Sequence, residues 1–395
     1  MPPLSLFAVT APGLEPVTAQ ELQQLALSDG AISPTALPGE GGLAFNGDLR
    51  ALYRANLHLR TASRILVRVG EFYAAAFSEL RQKASRLPWE LYLAPGRPVT
   101  IRVTCHKSKL YHSDAVAERI AGAIEDRLGR SVARQRSKAA EAAEGEAAAG
   151  PLIIARLIHD RCTLSLDSSG ALLHQRGYRL ATAKAPLRET LAAGLLLASG
   201  WDSTAPLLDP FCGSGTIAIE AAWLARRIAP GRARHFAFMD WPGFDAHLWD
   251  KLLSAADGQR LSTRPRLQAS DRDAGAIAAA QANAARAGVA DDIEFACRAV
   301  SAIEPPPGPG WVVTNPPYGV RVSGTADLRN LYAKFGQVLR THCPGWQVTL
   351  LTSDDQLLRQ TGLAFDNNLA WVNGGLKVKL GRGHVPEAHA PQHAA

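Results

Sequence analysis

The feature that most constrains this chain is the run APLLDPFCGSGTIAIEAAWLA, an apolar strand that stops at Asp209 and turns through Pro210–Gly215 into an apolar helix. The helix face is read from Ile217, Ala221, Leu224 and Ile228. A strand, a glycine turn and a helix in this order place backbone N–H groups at a helix N-terminus, where a cofactor can approach closely. Gly213 and Gly215 carry no Cβ and permit that approach. From about residue 186 onward, helices and strands alternate as in a doubly wound parallel sheet, with strands expected at 206–209, 266–270, 292–297, 311–314 and 347–352. In such sheets ligands bind beyond the carboxyl ends of the strands, so Asp209 can meet the ammonium of a methionine-like group.

The glycine turn alone leaves alternatives open. Gly213-Ser-Gly215-Thr-Ile-Ala218 also fits the G-x-G-x-x-A pattern of nicotinamide enzymes, whereas no Gly-Lys-Ser/Thr follows to make a phosphate-binding Walker loop. The candidate cofactor residues are Asp209, Pro210, Cys212, Gly213, Gly215 and Thr216, joined by Asp271 at the end of the second strand. A carboxylate there can accept both hydroxyls of a ribose. Asp271 lies far past Asp209, which implies an insertion at roughly 229–262 carrying the aromatic stretch HFAFMDWPGFDAHLW. Asp273 is read as the start of the next helix.

The stretch WVVTNPPYG decides between the readings. A strand runs into Asn315-Pro316-Pro317-Tyr318, for which a nicotinamide enzyme has no use. The exocyclic amine of a nucleobase is a poor nucleophile because its lone pair is spread into the ring. The Asn315 side-chain oxygen and the Pro316 carbonyl can orient that amine, and the prolines hold the carbonyl rigidly. Tyr318 offers a face for a base turned out of its stack. Catalysis would then rest on proximity and orientation. These four residues are the candidate catalytic set.

With both loops read, the chain resembles bacterial RNA guanine-N2 methyltransferases that join a THUMP region to a class I methyltransferase domain, above all the guanine-N2 module acting on 23S ribosomal RNA. The likeness runs through SLFAVTAPGLEPVTAQEL, GGLAFNGDLRALYRANLHLRTASRILVRV, KSKLYHSDAVAERI, LDSSGALLHQRGYR, APLRETLAAGLLLASGW, LDPFCGSGT and TNPPYG. It implies an α/β architecture: a Rossmann-like domain that uses S-adenosylmethionine, preceded by an α+β ferredoxin-like and THUMP region. The implied limits are 1–60 for the ferredoxin-like region, 61–180 for THUMP and linker, 181–382 for the catalytic domain and 383–395 for a disordered tail. It implies an RNA partner, ribosomal RNA first and transfer RNA second. Adenine-N6 methylation and a non-catalytic RNA-binding assembly factor are the alternatives. The family often has an acidic residue near the adenine amine, where this chain has Ala299. Some ribosomal enzymes of this kind continue into a second methyltransferase domain; here any second activity is expected to be absent or to lie elsewhere. THUMP also occurs in thiouridine synthases, whose S-G-G-x-D-S loop is not found in the sequence.

Bulk properties agree with an RNA partner. The net charge is +7, and residues 1–180 hold 22 Lys and Arg against 17 Asp and Glu. Arg119, Arg127, Arg130 and Arg134 lie broadly on another side of a segment whose apolar helix face is Val116, Ile120, Ile124 and Leu128, and are either a phosphate-binding or an ordinary solvated face. No apolar run is long enough for a membrane span, and the first residues do not read as a signal peptide. Five scattered cysteines form no C-x-x-C pair, so neither a metal site nor a disulfide framework is expected and the compartment is read as cytoplasmic. The stretch 138–150 is read as a surface loop, and the Gly-, Pro- and His-rich end from about Gly381 as disordered.

Overall fold

A computed structural model describes residues 3–25, 35–36, 41–131, 134–135, 150–180, 187–263, 265–318, 325–373 and 375–387. The chain divides into two compact units. The first comprises residues 1–10, 18–173 and 231–255; the second comprises residues 11–17, 174–230 and 256–395.

The first unit is built on an eight-stranded sheet of β1 (Leu4–Thr10), β2 (Thr35–Ala36), β3 (Gly42–Gly47), β4 (Ala62–Tyr73), β5 (Val99–His106), β6 (Arg134–Gln135), β7 (Leu152–Ile158) and β8 (Arg161–Asp167), in the order β2-β3-β1-β4-β8-β7-β5-β6. The long β4 pairs with both β1 and β8, so one strand joins the two halves of the sheet. Helix α1 spans Glu15–Gln24, and α2 (Leu49–His58) starts at Asp48, whose carboxylate accepts the Ala51 N–H. Helices α3 (Phe77–Ser85) and α4 (Ser113–Leu128) follow, α4 burying Val116, Ile120 and Ile124 as the four-residue period requires. The arginines singled out from the sequence are mostly occupied. Arg127 pairs with Glu90, Arg134 lies 3.7 Å from Asp114, and Arg119 sits over the Phe77 ring. Arg130 and Arg134 lie beyond the end of α4 at Leu128, Arg134 in β6, so the four arginines do not share one helix face.

The aromatic insertion belongs to this first unit. Phe238 stacks on Tyr53 at 4.4 Å, and Trp249 meets Phe236 and Phe238 edge-on at 5.6 and 5.5 Å. The Tyr53 hydroxyl accepts the Asp245 N–H. Each such ring pair adds about 0.5–1.5 kcal/mol beyond its buried area, enough to fix the segment as part of the core.

The second unit is the doubly wound sheet. Its strands β9 (Leu207–Asp209), β10 (Leu267–Asp271), β11 (Ile293–Cys297), β12 (Trp311–Thr314), β13 (Gln347–Thr352), β14 (Phe365–Asn373) and β15 (Leu376–His384) take the order β11-β10-β9-β12-β13-β15-β14. The first five are parallel and β15 is antiparallel to both neighbours. Helices α5 (Glu189–Ser199), α6 (Thr216–Ala225) and α8 (Ala274–Arg286) contribute to one core with Leu207, Leu267 and Val313. Helices α9 (Thr325–His342) and α10 (Asp355–Gln360) contribute to another with Leu208, Val312 and Leu350. Helix α7 (Ala246–Gly258) belongs for most of its length to the first unit. Among the described residues no helix is long and apolar enough to cross a membrane.

The five expected strands fall within one residue of their observed bounds. The chain end differs from expectation. Residues 381–384 belong to β15 and Val385 is fully buried. A Cβ on Gly383 would come within 2.6 Å of the Ala364 carbonyl oxygen, so this glycine serves close packing against β14 and not disorder. Most of the loop expected at 138–150, and residues 388–395, lie outside the described residues.

Candidate active site

The turn after β9 is held from three directions. The Cys212 N–H donates to the Ser270 carbonyl at 3.0 Å, the Gly213 N–H to Asp271 Oδ2 at 3.0 Å, and Asn283 Nδ2 on α8 to the Ser214 carbonyl at 3.0 Å. Pro210 is buried within it. Gly213 and Gly215 take φ of +52° and +83°, which side chains rarely adopt. Their surroundings differ. A Cβ on Gly215 would lie 2.9 Å from the Ala280 Cβ, whereas one on Gly213 would meet nothing within 4 Å. Gly215 lets α6 pack on α8; Gly213 faces open space. Thr216 opens α6, and its hydroxyl accepts from Arg179 Nη2 at 2.9 Å. Cys212 is buried, which pushes its thiol well above its ordinary range and leaves it a packing group.

Asp209 is fully buried at the end of β9. Its Oδ1 accepts from the Thr314 hydroxyl at 2.6 Å and the Phe211 N–H at 3.3 Å, while Oδ2 has no partner among the described residues. Burial pushes the carboxyl up to about 7, against the lowering effect of its hydrogen bonds; the nearby Asp271 adds to the rise. An orphaned buried carboxylate oxygen is expensive, which makes it a strong site for a cationic ligand group. Asp271 accepts the Gly213 and Asp273 N–H groups, so it braces the first loop from the second strand. Asp273 caps α8 as expected, accepting from Gly275 and Ala276. Ala299 is exposed and its carbonyl accepts the Ala302 N–H, so no carboxylate stands at that position.

The loop after β12 begins at Asn315, whose Oδ1 is buried with no hydrogen-bond partner among the described residues. Pro316 is buried, and the Pro317 carbonyl accepts from Tyr332 on α9 at 3.3 Å. The Tyr318 hydroxyl accepts from Asn373 Nδ2 on β14 at 3.1 Å, and its ring packs against both cores of the unit. The Thr314–Asp209 hydrogen bond ties the two loops together. β9 and β12 are neighbours where the strand order reverses, so the loops share one crevice.

Four supporting residues were not singled out from the sequence: Thr314, Asn283, Tyr332 and Asn373. Thr314 and Asn283 did leave a signal, since each is a polar residue inside an otherwise apolar strand or alanine-rich helix. The basic link after β8 is a further anchor. Arg176 pairs with Glu220 of α6 at 2.8 Å with both side chains buried, and Arg179 pairs with Glu189. Removing one partner of such a buried pair costs about 3–5 kcal/mol.

The residues fit S-adenosylmethionine on the structure's own terms: an orphaned buried carboxylate oxygen, a glycine facing open space and an acidic residue closing the second strand. Fold and loops together define a class I methyltransferase that uses S-adenosylmethionine. Comparison with known proteins gives the family. The model described as "RMKL-like, methyltransferase domain" matches residues 176–379, the RlmL ferredoxin-like domain matches 5–66 and the THUMP domain matches 74–138. The chain belongs to the RMKL-like methyltransferase family.

Among its relatives, a Synechocystis protein named by inference as an RNA methyltransferase is 35% identical, over 95% of both chains. The ribosomal RNA large subunit methyltransferase K/L of Syntrophotalea carbinolica is 35% identical over 99% of this chain and 55% of its own length. The chain spans about half the length of such K/L relatives. Among solved structures, SMU.472, described as a methyltransferase complexed with S-adenosylhomocysteine, shares 29% identity with a TM-score of 0.86, covering 98% of this chain and 99% of its own. A Listeria monocytogenes protein described as a predicted N6-adenine-specific DNA methylase shares 33% identity with a TM-score of 0.83 and 96% coverage of both.

Proposed function

We propose that this protein transfers a methyl group from S-adenosylmethionine to the N2 amine of a guanine in structured RNA, 23S ribosomal RNA before transfer RNA, in the cytoplasm. The observation that carries the reading is the buried Asn315 Oδ1, unpartnered among the described residues, at the head of a proline-stiffened loop. A lone acceptor held dry at that point suits an exocyclic amine that must be oriented and pulled toward a pyramidal nitrogen. S-adenosylmethionine supplies the electrophilic methyl. Asp209 would receive the cofactor's ammonium, Asp271 its ribose, and Gly213 its close approach; Pro210, Cys212, Gly215 and Thr216 shape that turn. Pro316 would add a second acceptor and Tyr318 a face for the flipped base.

The RNA reading draws on the THUMP match and on the names of the K/L and Synechocystis relatives. We keep a ferredoxin-like region to about residue 60, THUMP and linker to about 180 and the catalytic domain beyond it. Adenine N6 is the second reading, favoured by the description of the Listeria neighbour. The test is transfer of labelled methyl to total RNA from a strain lacking the gene, followed by size fractionation and nucleoside mass spectrometry. N2-methylguanosine in the large ribosomal RNA is the expected product. Label in transfer RNA would replace the substrate, N6-methyladenosine would replace the base, and no label alongside tight RNA binding would move the protein to the assembly factors.

A further inference from the structure

The antiparallel hairpin β14–β15 of the second unit reaches further than the sheet requires. β15 pairs with β13 from His384 opposite Gln347 to Lys379 opposite Thr352, where β13 ends. The first three residues of β15, Leu376, Lys377 and Val378, run on past the carboxyl end of β13, by about 10 Å at the usual rise per residue. β14 accompanies them, with Trp371 opposite Val378, Val372 opposite Lys377 and Asn373 opposite Leu376. In such sheets ligands bind beyond the carboxyl ends of the parallel strands, so the hairpin tip stands at the rim of the crevice.

The root of this overhang is fixed. Trp371 and Val378 are buried in the core that also holds Leu207 and Val313. A Cβ on Gly13 would collide with the Ala370 carbonyl oxygen, so residues 11–17, which belong to the same unit, press directly on β14. Side chains directly opposite in a ladder share a face, and successive residues alternate. Trp371, Val378, Asn373 and Leu376 therefore lie on one face, Val372 and Lys377 on the other. On the first face Asn373 Nδ2 donates to the Tyr318 hydroxyl at 3.1 Å, and Leu376 beside it is 43% exposed. The core ends at Trp371 and Val378, which leaves Leu376 with wet apolar surface that a ligand can cover.

We propose that the hairpin tip is the outer wall of the base site: Asn373 is a positioning residue that sets the Tyr318 ring, and Leu376 covers the nucleotide next to the one turned out. The inference rests on the reading that a base is turned out onto Tyr318, and adds what holds that ring and what meets the neighbouring base. A tyrosine hydroxyl lies on the axis about which its ring turns. A hydrogen bond there fixes the direction of that axis, while packing against both cores fixes the tilt of the ring. A preset face keeps the ordering cost of capturing a base small. Turning a base out leaves its neighbour with one face bare, and an apolar side chain at the rim is suited to cover it.

The experiment measures steady-state methyl transfer by the full chain to ribosomal RNA from a strain lacking the gene, with nucleoside mass spectrometry of the product. Leu376→Ala is expected to raise the KM for RNA about five- to tenfold and to leave kcat within about twofold. Val372→Ala, on the opposite face of the same tip, should keep both. Asn373→Ala should lower kcat/KM for RNA about two- to tenfold. That loss should disappear when the change is made in the Tyr318→Phe protein, which has no hydroxyl to hold. Unchanged S-adenosylhomocysteine affinity and melting temperature show that the fold is intact. The proposal is overturned if Leu376→Ala behaves as Val372→Ala does, or if Asn373→Ala costs as much in the Tyr318→Phe protein as in the wild type. Label in transfer RNA or on adenine would replace the proposed substrate, and the same comparison on that substrate would still decide the tip. A wild type that labels no nucleic acid would overturn the function and the tip together.

Discussion

The two loops that share the crevice of the second unit are held by opposite means. The turn after β9 is a backbone structure. Its N–H and carbonyl groups are bonded by Ser270, Asp271 and Asn283, and its shape depends on two glycines with positive φ. The loop after β12 depends on its prolines and on side chains that reach it from elsewhere, Tyr332 and Asn373. The first loop is suited to gripping a ligand with its main chain, the second to presenting an unsatisfied acceptor. Binding and rate should therefore separate on mutation, with the first loop governing affinity and the second governing turnover.

The largest expected effect tests that separation directly. Asn315→Ala should lower the single-turnover methyl-transfer rate by about 10²–10³-fold, the range seen when a preorganised polar partner of a transition state is removed. Affinity for S-adenosylhomocysteine should stay within roughly twofold. Parallel loss of both would mean that Asn315 shapes the cofactor site and that the contrast between the loops is wrong.

Within the first loop the glycines should divide. Gly215→Ala combines a φ of +83° with a Cβ contact at 2.9 Å to Ala280, so it should destabilise the protein by about 1–3 kcal/mol in chemical denaturation. Gly213→Ala has open space around its Cβ and should lose less stability, but it should lose more cofactor affinity because the methyl group stands where a ligand would approach. Equal losses in both measurements would erase the assigned division of labour.

Asp209 gives the comparison a pH dependence. Its carboxyl is pushed by burial from the usual value near 3.8 up to about 7. The folded state therefore holds a proton that the unfolded chain has already released. Its contribution to stability is present below about pH 4 and is lost as pH rises toward and through about 7. Asp209→Asn should flatten the fall in denaturation midpoint between about pH 4 and about pH 7. Glu21, Asp167 and Glu189, also raised by burial, keep a residual slope of the same sign. Cofactor affinity in the wild type should rise over the upper part of this range, because an ionised carboxylate binds an ammonium. Thr314→Val removes the hydrogen bond that favours the ionised form and should shift that rise to higher pH. A wild-type affinity independent of pH would show that Asp209 does not receive the charged group.

What was legible in the sequence follows the same division. Local signals located β9 through β13 and both loops, because an apolar run, a glycine turn and a proline pair act within a few residues. The braces were not legible. Asn283 lies 69 residues from Ser214 and Asn373 lies 55 from Tyr318, distances over which no local pattern reports contact. One misreading and one silence shared a cause. Gly381 and Gly383 resemble a disordered tail in composition yet sit tightly in β15, and nothing in the aromatic insertion told that it fills the core of the first unit. Composition reports what a segment could do alone; packing against a distant partner decides what it does.

The smallest expected effect probes the rigidity of the second loop. The Tyr332 hydroxyl donates to the Pro317 carbonyl at 3.3 Å, a long hydrogen bond from a fully buried side chain on α9. Tyr332→Phe keeps the ring and its packing with Phe335 and Leu350, so the fold should survive. Losing one such bond costs about 0.5–1.5 kcal/mol. If that energy holds the prolines in their reactive position, the methyl-transfer rate should fall about two- to tenfold while S-adenosylhomocysteine affinity is unchanged. The melting temperature should fall while the rate holds if the bond serves stability alone, and stay put while the rate falls if the bond is expressed only in turnover. An unchanged rate would mean that the two prolines hold the loop by themselves, and the second loop would then owe its geometry to its own sequence as fully as the first owes its shape to its neighbours.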